Sequence, residues 1–184
     1  MKVAVAIDSF KGSLSSMEAG AAIAEGIHRV NRDIDVQVRP LADGGEGTVE
    51  ALTAGMNGKT EHVSVTGPLG NTVEASYGII AETKTAIIEM AAAAGITLLA
   101  EKDRNPLYTT TYGVGELIRD AIKKGCRNFI VGIGGSATND GGVGMLQALG
   151  YGFLDADGKQ VPYGAKGLAL IEKITDDRVV PELK

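Results

Sequence analysis

Tryptophan is absent from this chain of 184 residues, and aromatic residues make up only 4% of it. Proteins that bind nucleic-acid bases by stacking need aromatic platforms, so this mode of binding is not expected. The 18 Lys and Arg residues are outnumbered by 23 Asp and Glu residues, and the net charge is −5. Without a basic surface for a phosphate backbone, the sequence predicts no nucleic-acid partner.

Cysteine and long apolar runs are also scarce. The single cysteine, Cys126, excludes a disulfide framework and a cysteine metal cluster. The longest uncharged stretch, residues 141–154, is too short to span a membrane. The apolar run at the N-terminus is too short for the core of a signal peptide. These observations predict a cytoplasmic protein with no membrane partner.

The hydrophobic pattern predicts an α/β fold in two parts. Up to about residue 60 the order is strand, loop, helix, twice over, which is typical of a parallel sheet with right-handed crossovers. A meander of three strands follows, and the alternation of strand and helix returns near residue 110. The predicted strands are residues 2–7, 36–41, 62–66, 73–80, 84–90 and 128–133, with a hairpin over 153–161.

Glycine is abundant, with 26 residues, about twice ordinary usage. Many of the glycines fall in three loops that each follow a predicted strand and precede a predicted helix: residues 8–13, 43–48 and 134–142. Such loops lie at the carboxyl ends of parallel strands, where α/β proteins bind ligands. Glycine lets the backbone approach a ligand, and free N–H groups at the next helix attract anions. Phosphate is therefore the expected ligand.

The first loop, residues 8–13, contributes Ser9, Lys11 and Gly12 to the predicted site. Lys11 can hold a phosphate oxygen as a point charge, which makes it a candidate for catalysis and nucleotide binding. The alternative is a structural loop, in which Asp8 accepts bonds from loop amides and Lys11 is solvated.

The second loop, residues 43–48, places Asp43 and Glu46 among three glycines. This arrangement suits a magnesium ion that keeps several waters and bridges substrate phosphates. It also suits a base that accepts a proton from an alcohol. Asp43 is therefore predicted as a metal ligand or catalytic base, and Gly44 and Gly45 as nucleotide-binding residues. The alternative is a helix start, where a carboxylate is favourable near the dipole.

The third loop carries two hydroxyls, an amide and a carboxylate among four glycines. Each glycine loses more conformational entropy on folding than other residues do, so a loop of this composition is hard to explain as a simple connection. Asp140 is predicted as a second metal ligand. The predicted nucleotide-binding residues are Gly134, Gly135, Ser136, Thr138 and Asn139.

Residues 132–137 also match G-x-G-x-x-A, the start of a dinucleotide fingerprint, and Asp155 lies 18 residues past Ala137. That fingerprint needs a helix that begins within the motif. Here Gly141 and Gly142 would fall in the first turns of that helix, where two adjacent glycines would destabilise it considerably. The helix is therefore predicted to begin after Gly142, and a nicotinamide-dependent oxidoreductase ranks behind a phosphate-binding function.

Taken in order, residues 8–12, 41–48 and 132–142 closely resemble the bacterial type I glycerate kinases, as do residues 89–95 and 111–118. The resemblance implies ATP-dependent phosphorylation of D-glycerate at the 2-hydroxyl, with Mg²⁺. It also implies two α/β domains with the active site in the cleft between them.

Members of this family are about twice as long as this chain. The resemblance therefore implies that residues 1–60 are the N-terminal part of an incomplete Rossmann-like domain. Residues 61–184 would be part or most of an inserted α/β domain with a mixed sheet. The unfinished sheet has an exposed edge, which a homodimer would cover. A non-catalytic module that binds nucleotides or phosphosugars is the main alternative, because the same loops can bind phosphate without transferring it.

Overall fold

The computed structural model describes residues 1–10 and 13–184. Its strands are β1 (Lys2–Ile7), β2 (Asp35–Pro40), β3 (Lys59–Thr66), β4 (Thr72–Ile80), β5 (Thr85–Glu89), β6 (Asn128–Gly132), β7 (Gly152–Leu154) and β8 (Lys173–Thr175). Its α-helices are α1 (Ser16–Val30), α2 (Thr48–Gly55), α3 (Ala91–Ala94), α4 (Tyr112–Lys123) and α5 (Val143–Ala148). Short 3-10 helices lie at Ile96–Leu98, Glu101–Asp103, Ala165–Leu170 and Pro181–Leu183.

The N-terminal strands β1 and β2 pair in parallel, with Lys2 opposite Asp35, and α1 connects them. Helix α1 begins at a capping box: the Glu18 amide donates to Ser15 Oγ, and the Ser15 amide donates to the Glu18 carboxylate at 2.8 Å. The bond from the Ser15 amide lowers the pKa of Glu18. The strand–helix–strand order predicted for this region is confirmed.

A four-stranded mixed sheet has the order β3–β4–β5–β6. The first three strands form the predicted antiparallel meander, and β6 pairs with β5 in parallel. Parallel neighbours need a crossover connection, which runs through α3 and α4. The parallel sheet and the mixed sheet together confirm the predicted α/β class.

Helices cover both faces of the four-stranded sheet. On one face, α2 packs Val49 against Ile80 and Ile87, all of which are buried. On the opposite face, the main core places Leu117 of α4 against Tyr77 of β4. Because α2 packs on this sheet, the second loop, which precedes α2, is held at its edge.

The predicted domain boundary at residue 60 falls inside β3, and it stays a prediction. The hairpin over 153–161 is present, with the Val161 amide donating to the Phe153 carbonyl at 2.8 Å. The pairing of β7 with β8 was not predicted. Among the described residues, no helix combines the length and apolar character that crossing a membrane requires.

Candidate functional site

The second and third loops touch through their backbones. The Gly134 amide donates to the Gly44 carbonyl at 3.0 Å. A Cβ atom at Gly132 would lie 2.6 Å from that carbonyl oxygen, and one at Gly134 would lie 2.6 Å from the Gly45 Cα atom. Only glycine permits this approach, so these glycines bring together two of the three predicted loops.

The first and second loops line a common cavity of about 820 Å³. Ser9 and Phe10 line it from the first loop, Glu46 and Gly47 from the second, and Glu89 from the end of β5. The predicted residues Lys11 and Gly12 lie outside the described residues. Ser9 is partly buried, and its amide donates to the neighbouring Asp8 carboxylate at 2.7 Å.

Among the described residues, the charged side chains that line this first cavity are all carboxylates: Glu18, Glu46, Glu50 and Glu89. Negative charges around a cavity repel an anionic ligand unless a cation lies between them. A phosphate or carboxylate ligand in this cavity therefore needs a positive group beside it, which the predicted Lys11 or a divalent cation would supply.

Glu89 is a site residue that the sequence did not identify. It is partly buried, and its carboxylate accepts a hydrogen bond from the Val49 amide at 2.8 Å. Burial raises the pKa of Glu89, with a smaller contribution from the charge of Glu46, while amides at the start of α2 act in the opposite direction. The sequence does contain a signal for Glu89: it is a single acidic residue between an apolar strand and a run of alanines.

Asp43 is exposed on the second loop, and one of its carboxylate oxygens accepts the Gly45 amide at 3.0 Å. Within residues 1–10 and 13–184, no three His, Cys, Asp or Glu side chains cluster as a ready metal cage. Magnesium is commonly held by one or two carboxylates, with waters and substrate phosphates completing its shell. The chemistry of Asp43 fits such a site.

The third loop lines a second cavity of about 360 Å³, rather than the first one. The Ser136 and Thr138 hydroxyls lie 2.9 Å apart and are hydrogen-bonded, and Asn139 is exposed. Met90, next to Glu89, lines the second cavity. The three loops therefore form a connected surface around two neighbouring cavities instead of the single pocket expected from the sequence.

Two further segments hold the third loop in place. The Gly135 carbonyl accepts the Ile96 amide at 2.9 Å, and the Ala137 amide donates to the Ala94 carbonyl at 2.9 Å. On its other side, the Ala137 carbonyl accepts the Thr109 hydroxyl at 2.7 Å. The loop is thus fixed by the segments that follow β5 and precede α4.

Asp140 is buried, with 2% of its surface exposed. Its carboxylate accepts the amides of Thr111 at 2.8 Å, Gly142 at 3.0 Å and Gly144 at 3.2 Å. The Thr111 hydroxyl donates to the same carboxylate at 2.9 Å. The carboxylate predicted as a metal ligand is therefore already surrounded by protein donors.

Helix α5 begins at Val143, after the glycine pair, as predicted. The segment that matches the dinucleotide fingerprint consequently lies in an extended loop rather than at a helix start. Asp155 lies in the hairpin turn, where its carboxylate accepts the amides of Asp157 and Lys159 at 3.0 and 2.9 Å.

Comparison with known proteins connects this geometry to a family. Residues 3–184 match the model of the glycerate kinase family. A glycerate kinase of Haemophilus influenzae is 51% identical over 184 residues, which cover 100% of this chain and 49% of that protein. The chain belongs to the glycerate kinase family. A glycerate 2-kinase of Escherichia coli K12 is 49% identical, with coverage of 100% of this chain and 48% of that protein.

A solved structure from Salmonella typhimurium LT2, described provisionally as glycerate kinase 2, superposes with a TM-score of 0.91 at 48% identity. The match covers 100% of this chain and 50% of that structure. This member of the family therefore spans about half the length of the curated relatives that it matches.

Proposed function

We propose that this glycerate kinase family member takes part in the ATP-dependent phosphorylation of D-glycerate to 2-phosphoglycerate. The observation that carries the proposal is the backbone contact between the second and third loops, which places Asp43 and the Gly-rich third loop on one surface. The relative from Escherichia coli K12, a glycerate 2-kinase by name, supports the choice of substrate and of hydroxyl.

Phosphate binding is assigned to Lys11 and to the backbone of the third loop. In the described part of the chain, the amides of the exposed residues Asn139 and Gly141 donate to no other group. Free amides of this kind suit phosphate oxygens. The residues proposed to contact the nucleotide are Ser9, Lys11, Gly12, Gly44, Gly45, Gly134, Gly135, Ser136, Thr138 and Asn139.

Magnesium is assigned to Asp43. Because the first cavity, beside the second loop, is lined by carboxylates, a polyphosphate on the surface that joins the second and third loops needs positive charge, and Mg²⁺ would supply it by neutralising phosphate oxygens. The carboxylate oxygen of Asp43 that does not bond Gly45 offers the hard ligand that Mg²⁺ prefers. The alternative role for Asp43 is that of the base.

The transfer itself exchanges one P–O bond for another. The glycerate hydroxyl oxygen forms a bond to the γ-phosphorus, and the bond from that phosphorus to the β–γ bridging oxygen breaks. ADP leaves with the electron pair, and the hydroxyl proton passes to a carboxylate. The residues of the loops contribute by positioning the reactants and balancing charge, which is the main requirement of phosphoryl transfer.

Release of ADP from ATP, measured with and without D-glycerate, tests the proposal. We expect release that depends on glycerate, and a product that ³¹P NMR identifies as the 2-phosphate. Asp43→Asn and Lys11→Ala should each reduce turnover at least about tenfold. The first removes the carboxylate charge assigned to Mg²⁺, and the second removes the cation assigned to the phosphates. Lys159→Ala, in the exposed hairpin, is the matched control. Near wild-type turnover in both loop variants would refute these assignments.

The same preparation distinguishes the non-catalytic alternative. A binding module would bind ATP in calorimetry and release no ADP with any hydroxy acid. A nicotinamide-dependent enzyme would instead enhance NADH fluorescence and show no thermal shift with ATP.

A further inference from the structure

The buried carboxylate of Asp140 lies where three backbone segments meet. These are the end of the third loop, the residues before α4 and the start of α5. Thr111 immediately precedes α4, and Gly142 immediately precedes α5. Amides from all three segments point at this one carboxylate.

Thr111 extends the connection. Its hydroxyl donates to Asp140 and accepts the Met145 amide at 2.9 Å. This hydroxyl therefore links the carboxylate to a second amide of α5. The cluster also needs glycine at position 144, because a Cβ there would lie 2.8 Å from the Asp140 carboxylate and 2.8 Å from the Tyr112 amide.

We propose that Asp140 is a positioning residue that fixes the shape of the third loop from behind, through Thr111 and the start of α5, and is not a magnesium ligand. The inference rests on the proposed function, since it concerns the loop assigned to phosphate. Both carboxylate oxygens of Asp140 accept hydrogen bonds from backbone amides. A metal ion that bound this carboxylate would have to displace those buried donors.

The consequence for ligand binding is preorganisation. With the carboxylate held by protein donors, the exposed residues Asn139 and Gly141 on either side of Asp140 keep amides that donate to no protein group within the described residues. A loop that is already in its binding shape loses less conformational entropy when phosphate binds. Asp140 thus acts on the ligand through the loop backbone, without touching it.

The experiment separates a positioning residue from a metal ligand by removing the metal. Binding of ADP is measured in EDTA and in Mg²⁺ for Asp140→Asn, Asp43→Asn and the exposed control Asp157→Asn. The asparagine side chain has one oxygen and one NH₂ group in place of two oxygens. In either orientation its NH₂ group faces a backbone N–H donor, so at least one of the hydrogen bonds is lost. We therefore expect Asp140→Asn to weaken ADP binding about tenfold in EDTA and equally in Mg²⁺. Asp43→Asn should weaken it only in Mg²⁺.

Thr111 supplies the second pair of variants. Thr111→Val removes the bridging hydroxyl and should weaken ADP binding in EDTA, while Thr111→Ser retains the hydroxyl and should restore the wild-type affinity. A loss in Asp140→Asn that is confined to Mg²⁺ would overturn the proposal and support a metal ligand.

Amide hydrogen exchange tests the positioning role without any ligand. In Asp140→Asn, exchange should be at least about tenfold faster at the hydrogen-bonded amides of residues 110–112 and 142–145, with the four-stranded sheet unchanged. Unchanged exchange in those segments would overturn the proposal whether or not ADP binds. Failure of the wild-type protein to bind ADP would count against the proposed function alone, since the exchange result does not depend on it.

Discussion

Glu89, at the end of β5, accepts a hydrogen bond at 2.8 Å from the amide of Val49, a residue 40 positions earlier in the chain. Helix α2 begins after Gly47, which has a φ of 88° and no side chain with which to cap the helix. Glu89 therefore supplies the cap from a neighbouring strand. This bond ties the second loop to the four-stranded sheet, and so to the third loop beyond it.

Removing this cap should destabilise the fold. Glu89→Ala leaves amides at the start of α2 without their acceptor, and we expect a loss of about 1–2 kcal/mol in the free energy of unfolding. Glu89→Gln retains an acceptor oxygen and should lose less than half of that amount. Urea denaturation followed by circular dichroism measures both variants. Equal losses in the two variants would show that the hydrogen bond is not the source of the effect.

The pH dependence of the Glu89→Gln variant gives a separate prediction. Because burial raises the pKa of Glu89, the folded state binds this proton more tightly than the unfolded state. The stabilisation from Glu89 is therefore complete below the ordinary glutamate pKa and is lost as pH rises through the raised value. Relative to wild type, Glu89→Gln should gain stability as pH rises from the ordinary glutamate pKa, about 4.3, through the raised pKa of Glu89. A constant difference across urea titrations in this range would contradict the raised pKa.

The contact between the second and third loops predicts a strong effect of Gly132→Ala. The new Cβ would lie 2.6 Å from the Gly44 carbonyl, so the loops must separate. We expect a loss of about 1–3 kcal/mol in the free energy of unfolding, together with weaker ADP binding. Gly26→Ala is the matched control, because nothing lies within 4 Å of its Cβ in α1 and alanine favours a helix. If both variants unfold at the same urea concentration, the loops are not in contact.

The fully buried Tyr77 connects β4 to α4 through its hydroxyl, which donates to Asp120 at 2.7 Å. Burial and this bond raise the pKa of Tyr77, and Lys124 lies beside the same carboxylate at 3.0 Å. Tyr77→Phe keeps the ring and removes the hydroxyl, which should cost about 1–2 kcal/mol. Tyr108→Phe, at a half-exposed ring, should be neutral in the same thermal melts. A neutral Tyr77→Phe would show that this bond adds nothing to the stability of the core.

Local patterns in the sequence were sufficient to predict most of the elements. The capping box at Ser15, the helical spacing of apolar residues in α4 and the glycine pair before α5 each act within a few residues. The sequence analysis placed the start of this helix after Gly142, because two adjacent glycines would destabilise a helix. That reasoning correctly separated the third loop from α5.

The relationships that the sequence did not reveal all join distant residues. The cap from Glu89 to α2 and the cluster around Asp140 depend on how strands and helices pack, which no local spacing records. The same applies to β8, a three-residue strand that is defined only by its pairing with β7. Asp140 was singled out for its carboxylate, and its burial became visible only in three dimensions.

The most direct measurement is a titration of the ¹⁵N-labelled protein with MgADP, followed by the chemical shifts of its backbone amides. If the three loops form one connected surface for the nucleotide, amides in residues 8–13, 43–48 and 134–142 should shift together with a single affinity. Amides in the hairpin turn at 155–158 should not move. Shifts confined to one loop, with the other two unchanged at saturation, would contradict a shared site.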